Sequence, residues 1–136
     1  MGTVKLLKSI YTSSDPTALG ELQTGDSFVI PSDFTETIYS PIANNTFTVD
    51  LTNGTIHKFT TNANTTINLP ASVAGKSYMV IISYGGSHTL TWVSTSTIKW
   101  VNGSAPTSTS VNGKFDIFCF VCDGTNIYGA SGGANY

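Results

Sequence analysis

Phe115-Asp116-Ile117-Phe118-Cys119-Phe120-Val121-Cys122 is followed by Asp123-Gly124-Thr125 and then by Asn126 to Ala130. The first run is rich in aromatic and β-branched residues, which suit a pleated surface. Asp-Gly between two runs of strand length predicts a hairpin. Alternate residues of a strand point to opposite faces. One face then carries Phe115, Ile117, Cys119 and Val121, the other Phe118, Phe120 and Cys122, so the strand is apolar on both sides. Two arrangements satisfy that pattern. Either one face serves a subunit interface, with Phe115, Ile117, Phe118 and Phe120 as the candidate residues, or the strand is central and covered by a second sheet and a loop.

Upstream the same grammar repeats. Thr46-Phe47-Thr48-Val49-Asp50-Leu51 alternates strictly, Thr52-Asn53-Gly54 follows, and Thr55 to Phe59 resumes; the Asn-Gly predicts a hairpin. Thr65-Thr66-Ile67-Asn68-Leu69 is a short strand closed by Pro70. Tyr78 to Tyr84 is apolar at nearly every position, which predicts a strand covered on both faces. Gly85-Gly86 predicts a further hairpin into His88 to Val93. Ile98 to Val101 then leads into a long loop, Asn102 to Asn112. Short strands at this spacing predict an all-β domain over residues 36–136, an antiparallel β-sandwich of jelly-roll-like type. There is no sustained helical stripe and no convincing internal repeat.

Residues 1–35 read differently, as a short N-terminal arm or attachment segment. They hold two apolar patches, Val4 to Tyr11 and Ser27 to Pro31, with Ser14-Asp15-Pro16 between them as a turn or helix entry and room for one helical turn through Thr17-Ala18-Leu19. Five of the eight acidic residues (Asp15, Glu21, Asp26, Asp33, Glu36) fall in this region or at its end.

A chain of 136 residues suits one main core. Charged residues make up only 10% of it, against about 25% in an average protein. Thr, Ser, Asn and Gly fill the difference, and they favour strands and turns over helices. All six cations are lysines and the net charge is −2. Nucleic-acid recognition draws on arginine's planar fork and on positive charge, so the composition argues against it. No secretory leader is evident, no apolar run approaches the ~20 residues of a membrane-spanning helix, and Leu6 departs from the myristoylation pattern. The expectation is a product of the host cytoplasm, not inserted in a membrane.

A set of short motifs, in order, resembles the C-terminal β-sandwich domain of bacteriophage tail-fibre and virion appendage proteins. They are Gly54-Thr55-Ile56-His57-Lys58-Phe59, Thr65-Thr66-Ile67-Asn68-Leu69-Pro70, Leu90-Thr91-Trp92, Ile98-Lys99-Trp100, Gly103-Ser104-Ala105-Pro106-Thr107 and the 115–125 run, closing on Tyr128-Gly129. The similarity covers residues 38–136. It implies a β-sandwich that assembles as a homotrimer on a virion and has no catalytic residues. Fibre proteins place a long shaft before such a domain. Here about 35 residues precede it, so the expectation moves toward a capsid-decoration protein or short surface appendage, held to capsid or tail proteins through the arm.

Each residue type able to do chemistry has a structural reading beside the functional one. Cys119 and Cys122 have a CxxC spacing, but no second pair is present for zinc, and strand positions i and i+3 face opposite ways; buried free thiols are expected. His57 and His88 are expected to be ordinary exposed strand histidines, with metal binding alongside Asp50 as the sharper alternative. Asp116 and Asp123 stand in the way a glycosidase pair might be proposed, yet Asp123 fits the first position of a turn and Asp116 an edge or interface. Calcium at the Asp123 turn lacks acidic neighbours. The sequons at Asn44, Asn53, Asn64 and Asn102 fit chance in an Asn/Thr-rich chain. Trp92, Trp100, Tyr84 and Tyr128 invite a sugar-stacking reading against one of core packing; Trp100 and Tyr128 are the candidate contacts for a host-surface glycan. The expected function is therefore binding: no enzyme, no cofactor, no metal. A receptor-binding tail module and a carbohydrate-binding module stand as the alternatives to decoration.

Overall fold

The computed structural model describes residues 7–11, 16–21, 35–42 and 45–136. The chain divides into two compact units, Met1–Phe34 and Thr35–Tyr136. In the first, β1 (Leu7–Tyr11) pairs antiparallel with β2 (Pro16–Glu21), with a register shift between Ile10 and Tyr11. Thr17-Ala18-Leu19, where the sequence leaves room for one helical turn, is thus part of a strand. Proline is tolerated at a strand's first residue, and ladder bonds to a neighbour outweigh the costly nucleation of a single helical turn. The apolar patch at Ser27 to Pro31 lies outside the described residues.

The second unit is all-β. Its strands are β3 (Ile38–Tyr39), β4 (Thr46–Thr48), β5 (Ile56–Thr61), β6 (Thr65–Asn68), β7 (Ser77–Tyr84), β8 (Leu90–Val93), β9 (Thr97–Trp100), β10 (Phe115–Cys122) and β11 (Asn126–Gly133). They form a six-stranded sheet in the order β3-β5-β7-β10-β11-β9 and a three-stranded sheet β4-β6-β8. From β3 to β8 the chain alternates between the sheets, and each strand pairs in parallel with the one two earlier. The backbone therefore winds as a coil with two strands per turn. Only β7, β10 and β11 give the antiparallel pairs expected for the whole domain; β9 closes the large sheet, parallel to β11.

This winding corrects two of the three expected hairpins and supplies a repeat that the sequence does not display. The Asp123-Gly124 turn does join paired strands. Asn53-Gly54 and Gly85-Gly86 instead mark corners where the chain leaves one sheet for the other. Glycine is needed at both for close approach of one coil to the previous one. A Cβ on Gly85 would lie 2.4 Å from the Thr61 carbonyl oxygen, and one on Gly54 2.9 Å from that of Thr37. The Gly85 N–H uses that proximity to donate to Thr61 O at 3.0 Å. Side-chain bonds at the corners repeat the coil spacing: Ser94 Oγ donates to Pro70 O and the Ser72 N–H to Ser96 Oγ, each across 24 residues.

Between the sheets lies one core. Phe47 of β4 stacks on Phe59 of β5 with ring centroids 4.1 Å apart, and Ile67, Val49 and Leu69 meet Val80, Ile82 and Ile127 from the other side. Trp92 of β8 leans on Phe118 and Phe120 of β10 at 4.8 and 5.4 Å. Phe118 and Phe120 are each 1% exposed. Of the four candidate interface residues, these two are committed to the core, because even-numbered positions of β10 point at the three-stranded sheet. Phe115 and Ile117 point the other way.

Candidate functional site

The outer face of the six-stranded sheet follows from strand parity. Register places Ile38 beside Ile56, Ile56 beside Met79, Met79 beside Cys119 and Cys119 beside Ala130. The next row holds Lys58, Ile81 and Ile117. Val121 pairs with Tyr128, and Tyr128 with Lys99. Val121 is 56% exposed and Tyr128 45%, while the interior of the face is half-buried by its own neighbours. Lys58 Nζ sits over the Phe115 ring, 5.6 Å from its centroid, so its stem covers apolar surface as long cationic side chains do.

Two shallow depressions run along this face and share Cys119 and Val121. One, of about 300 Å³, is bordered by Ile56 and Met79 and ends at Glu36. The other, of about 470 Å³, ends at Lys99, Val101 and Tyr128. Phe115 and Ile117 are marked as candidates by the sequence, whereas Ile56, Met79, Glu36 and Lys99 are not. The signal was present in Tyr78–Tyr84, apolar on both faces; what was missing was the parallel pairing that brings β5 beside β7.

The two candidate sugar contacts both border the depression of about 470 Å³ but belong to opposite faces of the sheet. Trp100 pairs with Gly129, whereas Tyr128 lies on the opposite parity. The Trp100 ring packs edge-on against Trp92 and Phe120 at 5.5 and 5.6 Å. It lies across Gly129, where a Cβ would come within 2.6 Å of the ring. That is a core tryptophan with one open side. Tyr84 is buried, and its hydroxyl donates to Asp116 Oδ2 at 2.8 Å. Tyr128 is the exposed member; its hydroxyl donates to Asp123 Oδ2 at 2.9 Å, and Asp123 also caps its own turn by accepting the Thr125 and Asn126 N–H groups. Those backbone bonds, first that from Asn126, hold the Asp123 carboxyl well below the usual carboxylate range.

Asp116 is neither at an edge nor at an interface. It is 1% exposed and accepts from the Tyr84 hydroxyl, from the Thr109 N–H at 2.7 Å and hydroxyl, and from the Asn135 N–H at 3.1 Å. Burial alone would raise its pKa, yet the bonds from Thr109, Tyr84 and Asn135 together lower it. The carboxylate thus anchors the 102–112 loop and the C-terminal segment onto β10. With four donors directed at it, it is arranged as a structural acceptor, far from the open geometry of a general acid.

The histidines depart from their expected exposure as well. His57 is wholly buried, edge-on to Tyr39 and Phe47. Its Nε2 donates to Gly54 O at 3.0 Å, which leaves Nδ1 as a buried acceptor without a donor. His88 is half-buried, with Nδ1 3.0 Å from Thr61 Oγ1. Asp50 accepts the N–H and hydroxyl of Thr52. Among the described residues no three His, Cys, Asp or Glu side chains converge to hold an ion. The two cysteines are free; Cys122 is buried, while Cys119 stands half-buried on the outer face.

The buried imidazole makes stability depend on pH. Burial lowers the His57 pKa, against smaller opposing effects of the Gly54 carbonyl and Asp50. The unfolded chain then takes up the proton first, so stability is complete above the ordinary histidine value near 6.5 and declines as pH falls through it. Urea midpoints should be lower at about pH 5.5 than at about pH 7.5 in the wild type. In His57→Phe that difference should shrink; an undiminished difference would place the titrating group elsewhere.

No protein-family model matches the chain, and neither a curated protein nor a solved structure matches it.

Proposed function

We propose that this chain is a non-catalytic structural protein of a bacteriophage virion, a trimeric capsid-decoration or short surface-appendage module. In this reading Thr35–Tyr136 is a β-sandwich presented outward and the N-terminal segment grips capsid or tail proteins. The observation that carries the reading is the outer face of the six-stranded sheet. Its centre is a row of Ile56, Met79 and Cys119 beside Ile81 and Ile117, a surface suited to assembly. The motifs resembling virion appendage domains give the assembly its setting. Support for a non-catalytic role comes from Asp116 and Asp123, whose carboxylates are taken up by backbone and neighbouring side chains within the fold.

Quantitative mass spectrometry of purified virions tests this. Copies in the hundreds per particle support decoration. A handful per particle, together with binding of the isolated protein to host cells, moves the assignment to a receptor-binding tail module. Absence from the particle sinks the virion reading altogether.

A further inference from the structure

We propose that the outer face of the six-stranded sheet is covered by further copies of this chain, set head to tail so that the Glu36 edge of one copy meets the Lys99 edge of the next. The proposal rests on the self-associating reading above and specifies the surface and its register.

Three features of this face select a second copy as the occupant. First, the ends of the face carry opposite charges. Glu36 closes the depression that begins at Ile56 and Met79, and Lys99 closes the one that continues past Cys119 and Val121. They stand at opposite edges of the sheet, beside β3 and on β9. The Thr55 hydroxyl donates to Glu36 Oε2 and holds the carboxylate at its edge. A surface apolar in the middle, negative at one end and positive at the other is complementary to itself when a copy is placed end to opposite end. Such contacts are heterologous, and a rotation between copies that divides a full turn closes them into a ring, here the proposed trimer.

Second, the remaining charges beside this face are engaged within the protomer: Lys58 lies over Phe115, and Asp123 accepts the Tyr128 hydroxyl and the N–H groups of its own turn. Third, the size is adequate. With about 4.8 Å between strands and about 3.3 Å per residue, a sheet of these strand lengths presents on the order of 600 Å². That reaches the lower end of specific interfaces, which bury about 600–1,000 Å² on each partner. Apolar burial supplies the affinity in this arrangement, and the Glu36–Lys99 contact fixes register and excludes other pairings, which is what charges at an interface rim do best.

The test uses the full chain in sedimentation velocity and light scattering over a concentration series, with circular dichroism as a folding control. Wild type should form a closed oligomer, and Val121→Glu should remain monomeric and folded. Glu36→Lys and Lys99→Glu should each weaken assembly about tenfold or more, since like charges then meet across the contact. Combining them should return assembly to within about threefold of wild type, because the pair is recreated with its signs exchanged. A wild type that stays monomeric throughout overturns both this proposal and the self-association it rests on. An oligomer unaffected by Val121→Glu and by both charge reversals overturns this interface alone and leaves self-association standing.

Discussion

Asp116→Ala is expected to lower the unfolding free energy by about 3–5 kcal/mol, among the largest effects available to a single substitution in this chain. Four donors converge on that carboxylate: the Tyr84 hydroxyl, the N–H and hydroxyl of Thr109, and the Asn135 N–H. Alanine removes the carboxylate acceptor of the Tyr84 hydroxyl and of both Thr109 groups at once, while the Asn135 N–H keeps Thr109 Oγ1 at 3.0 Å. Leaving a buried donor without a partner costs about 1–3 kcal/mol. The loop before β10 and the C-terminal segment lose the same anchor together. Equilibrium denaturation should show the lower midpoint, and limited proteolysis should show earlier cleavage within residues 102–112. Asp116→Asn keeps one carbonyl acceptor and should cost less. A loss below about 1 kcal/mol in the alanine variant would mean the network contributes no more than an exposed one.

The same carboxylate sets an acid limb. Its pKa is lowered in the fold, the bonds from Thr109, Tyr84 and Asn135 outweighing a burial effect that acts to raise it. A depressed carboxylate contributes stability above its unfolded value of about 3.9, and the contribution is lost as pH falls through the folded value. Wild type should therefore lose more stability between about pH 5 and pH 2 than Asp116→Asn does. Together with His57, which acts in the window just below neutrality, two buried groups make this unit sensitive to acid, and the depressed surface carboxylates of Asp123 and Asp50 act in the same direction.

Strand positions were legible in the sequence because apolar alternation and turn residues report on local geometry. Thr46–Thr48 and Phe115–Cys122 fall within runs read from the sequence, and Ile56–Thr61 and Ser77–Tyr84 overlap the runs Thr55 to Phe59 and Tyr78 to Tyr84. Pairing was not legible, because it depends on what else competes for a strand's edge. Gly54 and Gly85 carry the same turn signal as Gly124, but their flanking strands are taken by parallel neighbours one coil away. The coil repeat stayed hidden because its corners stack through backbone groups, Gly85 N–H on Thr61 O among them, with few side chains repeated from turn to turn. For the outer face, parity alone yielded Phe115 and Ile117. Adding Ile56 and Met79 required knowing that β5 and β7 lie side by side. His57 and Asp116 were misread for a related reason: polarity suggests exposure, and burial of a polar group becomes intelligible only once its partners, Gly54 O and the Thr109 donors, are in place.

Phe120→Ala should cost about 3–5 kcal/mol, and the loss should not depend on protein concentration. Phe120 is stacked on Tyr78 at 5.0 Å and edged by Trp92 and Trp100, so truncation opens a cavity that three rigid rings cannot collapse to fill. Its neighbour in sequence parity supplies the contrast. Ile117 pairs with Ile81 on the outer face, and Ile117→Ala removes surface that is already half-open to water within one protomer. By area that substitution should cost a protomer about 1 kcal/mol or less. Alternation already set the two on opposite faces of the 115–122 run, and the structure shows that the Phe120 face is the core. Denaturation midpoints measured over a concentration series would distinguish their roles, because a core loss shifts every curve equally while loss of an interface residue flattens the dependence on concentration. If Phe120→Ala lost stability only at high concentration, the assignment of the two faces of β10 would be reversed. The expected outcome follows from β10 itself: one strand apolar on both sides stabilises a protomer through its even positions and, in the proposed assembly, holds a neighbour through its odd ones.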